Sequence, residues 1–107
     1  MEIKLKSGNN ASIAMKLSEP LDGNKLKIGI YNPQGHELFA TQTGDGLIQV
    51  VDETHYILEL TNEVTQRFGG LTMLRAVVYS NDKRFVNSAV KPMVLWWEKE
   101  PASQNLK

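Results

Sequence analysis

From Ile3 to Glu98 the chain alternates apolar and polar positions in short segments, broken every 6–12 residues by Gly, Asn, Asp or Pro. Successive side chains of a strand point to opposite faces, so this rhythm predicts half-buried β-strands joined by tight turns. The pattern places strands over Glu2 to Lys6, Ala11 to Ser18, Lys25 to Tyr31, His36 to Gln42, Leu47 to Val51, His55 to Leu60, Leu71 to Ser80, Arg84 to Val90 and Met93 to Glu98. In the third, Leu26, Ile28 and Ile30 fall on one face and Lys25 and Lys27 on the other. In the sixth, Tyr56, Ile57 and Leu58 are consecutive and leave the inward face open.

Asn32-Pro33-Gln34-Gly35 marks a hairpin, because Pro presets its own φ and Gly accepts a positive one. Asp52-Glu53-Thr54 and Ser80-Asn81-Asp82-Lys83 mark two more. The run Ala76-Val77-Val78-Tyr79 suits a central strand, buried on one face and partly covered on the other. Only Thr61 to Gly70 leaves period two. Thr61 or Asn62 can cap, Glu63 suits a first helical turn, and Gly69-Gly70 ends it. Val64 and Phe68 lie four apart, so a short helix there is expected to cross between two sheets. The fold predicted is an all-β antiparallel sandwich over residues 1–100, with one helical crossover near residues 62–68 and a polar, frayed tail over residues 101–107.

With 107 residues, 41% of them hydrophobic, the chain makes one core without help. The absence of Cys removes disulfides, thiolate chemistry and cysteine metal sites together. Glu2 to Lys6 reads as a strand and not as a basic start with an apolar run, so no signal peptide is expected and synthesis is expected in the cytoplasm. The longest apolar run, Met93 to Trp97, is far too short to span a membrane, and no membrane partner is expected.

Twelve basic and twelve acidic residues cancel, which argues against a nucleic-acid partner. They are unevenly placed. Residues 28–66 hold Glu37, Asp45, Asp52, Glu53, Glu59 and Glu63 with no Lys or Arg. Residues 67–99 hold Arg67, Arg75, Lys83, Arg84, Lys91 and Lys99 against Asp82 and Glu98. Two readings follow: cross-strand charge pairs inside the domain, or a dipolar module that docks acidic side to basic side on a copy of itself or a partner.

Catalytic patterns are absent from the sequence. His36 and His55 are isolated, no G-x-S-x-G nucleophile turn occurs, and no zinc or EF-hand spacing exists. Asp22-Gly23-Asn24 and Gly44-Asp45-Gly46 read as turns, and the glycines never form a phosphate loop. No enzyme activity, cofactor or metal is expected. Trp96 and Trp97 are adjacent in a strand and must face opposite ways. One belongs to the core. The other is covered by a neighbouring segment, anchors a protein interface, or stacks on sugar.

The order Ile3-Lys4-Leu5-Lys6-Ser7-Gly8, Ile13-Ala14-Met15-Lys16-Leu17, Leu21-Asp22-Gly23, Lys27-Ile28-Gly29-Ile30-Tyr31 and Asn32-Pro33-Gln34-Gly35 spans the first third of the chain. It is followed by Leu58-Glu59-Leu60-Thr61, Glu63-Val64-Thr65, Gly69-Gly70 and Asn81-Asp82-Lys83. Over residues 2–98 this pattern resembles the immunoglobulin-like domain at the N-terminus of phage upper baseplate proteins and related tail fibre modules. Members often carry an aromatic after the glycine where this chain has Leu71. The resemblance implies an immunoglobulin-like sandwich, oligomeric packing on a virion and no catalytic residues. The function expected is a structural assembly module of a phage or prophage tail or baseplate. Its partners are expected to be other tail proteins or itself, a trimer being one form. The residues expected to carry it are the outward member of Trp96/Trp97, the basic set Arg75, Arg84 and Lys91, and the acidic Glu37 and Glu59. The alternative is a carbohydrate-binding module with an exposed Trp platform.

Overall fold

Leu26, Ile28 and Ile30 are buried while Lys25 is exposed and Lys27 half-buried, so the third segment is a strand with one face in the core, as its alternation predicts. A computed structural model describes residues 2–21, 23–80, 85–88 and 92–99, and leaves the side chains of Glu2 and residues 85–88 undescribed. The expected turn over residues 81–83, the tail over residues 101–107, Asp22, Arg84 and Lys91 lie outside the described residues.

The strands are β1 (Glu2–Lys6), β2 (Ala11–Lys16), β3 (Lys25–Tyr31), β4 (Glu37–Gln42), β5 (Ile48–Val50), β6 (His55–Leu60), β7 (Gly70–Tyr79), β8 (Phe85–Ser88) and β9 (Met93–Glu98). They form two sheets. The larger runs β1-β9-β7-β3-β4, with β8 also on β7, and the smaller runs β2-β6-β5. The hairpins β3–β4 and β5–β6 form as expected, Ile30 facing Phe39 and Gln49 facing Ile57. β7 is central. It pairs β3 from Met73 to Tyr79, and on its other side β9 from Gly70 to Leu74 and β8 from Val77 to Tyr79.

One pairing departs from the antiparallel expectation. β1 runs parallel to β9, Leu5 facing Trp97. β1 and β2 belong to different sheets, so no hairpin constrains β1, and it joins the free edge of β9. Alternation shows that a strand exists; it carries no information on which distant strand it pairs with.

The chain crosses from the small to the large sheet through α1 (Asn62–Thr65). Arg67 N–H donates to Val64 C=O and Phe68 N–H to Thr65 C=O, so the helix tightens into three-residue turns before β7. Thr61 stands at the N-cap, without a side-chain capping bond. The fastening comes from Thr65. Its hydroxyl donates to Asn9 C=O at 2.7 Å and accepts from Gly8 N–H at 3.0 Å, while Ser7 Oγ donates to Thr65 C=O. Gly70, at φ +72°, then turns the chain into β7.

The inward face of β6 resolves to Tyr56, Leu58 and Leu60. Phe68 sits at the core end beneath α1, 5.0 Å from Trp97 and 6.5 Å from Phe39 between ring centroids. Trp97 is buried, and its indole N–H donates to Thr72 Oγ1 at 2.9 Å; that hydroxyl donates onward to Leu95 C=O at 3.1 Å. Among the described residues no buried side-chain N or O lacks a partner, and no helix is long and apolar enough to cross a membrane.

Candidate functional site

The inward residues of the large sheet fix what its outer face carries. Opposite Leu95 and Trp97 in parity stand Val94, Trp96 and Glu98; opposite Thr72, Leu74 and Ala76 stand Leu71, Met73, Arg75 and Val77. Trp96 is thus the outward tryptophan, 40% exposed, and Trp97 is core at 1%. Trp97 is thereby removed from the interface residues expected from the sequence.

Trp96 is paired directly with Leu71 of β7, itself 41% exposed, and with Lys4 of β1. The next row is Val94–Met73–Tyr31–Glu37 across β9, β7, β3 and β4. The result is an apolar stripe on a face that a free-standing sheet would normally make polar. Its rim is charged: Lys4, Lys6 and Glu98 at one edge, Arg75 and Glu37 toward the other.

Arg75 and Glu37, both singled out from the sequence, are brought together by a residue that was not. The Arg75 guanidinium lies 5.6 Å from the Tyr31 ring centroid, and Tyr31 Oη donates to Glu37 Oε2 at 3.3 Å. Burial, with the Glu37 charge beside it, raises the Tyr31 phenol above its usual pKa. The ring lies over the strand because Gly29 is beneath it: a Cβ there would stand 2.7 Å from the Tyr31 ring. The sequence carries two signals of this arrangement. Gly29 takes the outward position that Lys25 and Lys27 hold earlier in the strand, and the outward positions of β7 are themselves mostly apolar.

Glu59 is elsewhere. It faces outward from the small sheet and accepts from Ser12 Oγ at 2.8 Å. It therefore cannot act with Arg75 within one molecule. The cross-strand pairing of Lys or Arg with carboxylates is also missing among the described residues, where the one ion pair is His55–Asp52 at 2.8 Å.

That pair closes the β5–β6 turn. Asp52 Oδ1 accepts from Thr54 N–H, His55 N–H and His55 Nδ1. These bonds, the Thr54 amide first, hold the carboxyl at about 2, below its ordinary 3.8. Thr54 Oγ1 also reaches His55, but at the same Nδ1, 3.2 Å away. A nucleophile relay needs the hydroxyl on one ring nitrogen and the carboxylate on the other, so this grouping is a turn lock. His36 sits in the β3–β4 turn, where its backbone N–H donates to Asn32 Oδ1 at 2.9 Å. No group of three or more metal-ligating side chains occurs among the described residues.

Two depressions flank this turn, both shallow and open. One has Glu19, Pro20, Leu21, Glu53 and Tyr56 around it. The other lies on the outer face of the small sheet, where Ala14, Lys16, Val51, Asp52, His55 and Ile57 surround a mostly apolar floor. Val50 and Val51 beside it are 67% and 59% exposed.

No protein-family model and no curated protein matches the chain. It is similar to the Ig1 domain of mouse SynCAM 2, at 13% identity over 94% of this chain and 93% of that one, with a TM-score of 0.46. It is also similar to the Clostridium thermocellum CbhA fibronectin(III)-like modules, at 7% identity over the same shares and a TM-score of 0.47. The fold follows from the strand order itself. A three-stranded sheet β2-β6-β5 faces a sheet in which β9, β7, β3 and β4 lie side by side, which is the arrangement of an immunoglobulin-like β-sandwich.

Proposed function

We propose that this domain is a non-enzymatic assembly module that works by protein–protein contact through the outer face of its large sheet. The observation that supports it is Trp96, outward and 40% exposed within the stripe of Leu71, Met73 and Val94. A rigid indole amid apolar neighbours with a charged rim has the anatomy of an interface hot spot. Sugar platforms need several polar groups beside the ring; of the two residues paired with Trp96, Leu71 is apolar and Lys4 offers a single ammonium. This face, taken with the resemblance of the sequence pattern to phage baseplate and tail modules, supports the reading of a phage or prophage tail or baseplate component.

The test is mass spectrometry of tail particles purified after lysis of the host that encodes the chain. The reading expects the domain in stoichiometric amount in intact particles; its absence from them overturns the virion assignment. A Trp-fluorescence titration with a panel of soluble polysaccharides separates the binding classes. The protein-docking reading expects a flat response, whereas a saturable shift abolished by Trp96→Ala replaces it with carbohydrate binding.

A further inference from the structure

The strands at the sheet edges differ in how they are closed to further pairing. β4 is kinked by the register shift between Ile30 and Tyr31, and on its open side Asp45 Oδ2 takes the Gln42 N–H at 3.1 Å. β5 is three residues long, and β1 flanks its open side with Lys4 and Lys6. β2, the other edge of the small sheet, has no bulge, glycine, proline or cap, and its one charge stands at its last residue. It pairs β6 without a shift, from Ala11–Leu60 to Lys16–His55.

The direction of its free groups is fixed. Leu17 N–H donates to Thr54 C=O at 2.7 Å, which continues the β2–β6 register by one pair. Bonds to β6 therefore fall on Ala11, Ile13 and Met15, and the N–H and C=O of Ser12, Ala14 and Lys16 point away from it. The parity agrees from the other side, where Glu59 N–H donates away from β2, to Leu47 C=O. Ser12, Ala14 and Lys16 are exposed, and among the described residues nothing pairs their free backbone groups. Two opposite charges also stand here without an ion partner among those residues. Lys16 lies opposite His55, which Asp52 already engages, and Glu59 accepts from Ser12 Oγ at 2.8 Å and so leans toward the free edge.

We propose that the β2 edge pairs antiparallel with the β2 edge of a second copy of this chain, about a twofold axis through Ala14. Ala14 then faces Ala14, and Ser12 of each copy faces Lys16 of the other, so every free N–H and C=O of the three residues meets a partner. The side chains agree with that register. The outer row through the axis reads Ile57, Ala14, Ala14, Ile57, small and apolar where the chains are closest. In the rows on either side, the Lys16 ammonium of one copy lies across Ser12 from the Glu59 carboxylate of the other. Their backbones are two strand spacings apart, about 9.6 Å, a gap that two long side chains close. Moving the axis to Ile13 or Met15 sets Lys16 opposite Asn10 or Ala14 and loses the charge match. The chain thus carries both charges in the order that its own antiparallel copy needs, and this commits the edge to a second copy over an unrelated strand.

Such an interface is isologous, so association stops at two chains, with β5, β6 and β2 of each joined in one continuous sheet. Three residues per strand make a contact narrower than a standard interface, so weak affinity is expected. The proposal goes beyond the reading above, since none of its residues lies on the Trp96 face.

The test uses the full 107-residue chain in sedimentation equilibrium up to about 1 mM, a range that captures weak affinities. Wild type is expected to approach twice its 12.0 kDa monomer mass and not pass it. Ala14→Pro removes the central donor, which the β2–β6 pairing does not use, and is expected to weaken association at least about 30-fold. Lys16→Glu and Glu59→Lys each set like charges together at both ends and are expected to weaken it about 10-fold; combined in one chain they are expected to restore it. These two leave the backbone intact and decide the matter even where the proline lowers stability. In amide exchange by NMR, the Ser12, Ala14 and Lys16 N–H groups are expected to gain protection between about 0.05 and about 1 mM, while Ala40 on the β4 edge does not.

A wild type that stays monomeric at about 1 mM overturns the proposal, as does growth beyond two chains. So does failure of the double charge variant to recover what its single members lose. Loss of association with Trp96→Ala overturns it as well, because the contact would then lie on the large sheet. None of these results touches the presence of the domain in tail particles, so the two readings fail separately.

Discussion

Thr72 shows how one small side chain fixes a large one. Its hydroxyl accepts the Trp97 indole N–H and donates to Leu95 C=O, both inside the core. Thr72→Val keeps the shape and removes both bonds, leaving a buried indole donor unpaired at a cost of about 1–3 kcal/mol. Urea unfolding at constant m-value reads the loss. In a Trp97→Phe background, where no indole donor exists, the same substitution is expected to approach neutrality. An equal effect in both backgrounds would mean that the hydroxyl does not hold Trp97. The adjacency of Trp96 and Trp97 requires opposite faces, and the register shows which is which: Trp97 shares parity with Leu95, and Trp96 with Val94.

At the scale of elements, alternation locates the strands to within one or two residues for most of the chain, because a half-buried strand writes its two faces directly into the sequence. β1, β3, β6 and β9 begin and end where the pattern places them. The outward apolar stripe is less legible. It depends on the lateral neighbours of β7, and the spacing along one strand says nothing of which residues lie beside it. Sequence reasoning therefore reaches Arg75 and Glu37 but not the Tyr31 between them, nor the parallel β1–β9 pairing. The β5–β6 turn, by contrast, is held by neighbours in sequence. Asp52 is kept at about 2 against an ordinary 3.8 by the amides and ring nitrogen it accepts from. A carboxyl depressed in the folded state stabilises above its unfolded pKa, and the stabilisation is lost as pH falls from 3.8 through about 2. Asp52→Asn retains an Oδ1 acceptor and cannot ionise. Wild type is expected to exceed this variant in urea midpoint at neutral pH, and the gap is expected to close across that acidic window. A gap that persists unchanged below about pH 2 would show that ionisation of Asp52 does not stabilise the turn.

For the molecule as a whole, the critical closure is the first strand against the last. β1 places Ile3 and Leu5 against the core and hydrogen-bonds along β9, so β9 has strands on both sides and β1 carries the free edge. The outward residues on that free edge are Lys4 and Lys6, the kind of charge that protects an edge from further pairing. Removing residues 1–6 makes β9 the edge and uncovers a strand whose outward side is Val94 and Trp96 and whose inward side is Leu95 and Trp97. Burial of two aliphatic side chains at about 1.5–3 kcal/mol each, discounted for their partial exposure, sets an expected loss near ~3 kcal/mol, read by urea unfolding. The truncated chain is also expected to associate by strand pairing along β9. That association differs from face docking because it runs through backbone groups. Adding Trp96→Ala is expected to leave it in place, whereas a proline at Val94 on the newly bare edge is expected to suppress it. Sedimentation of the truncated chain with Trp96→Ala and with Val94→Pro separates the two modes. If Trp96→Ala alone returned the truncated chain to a monomer, β1 would be dispensable as an edge cover, and the adhesive surface of the sandwich would be its outer face.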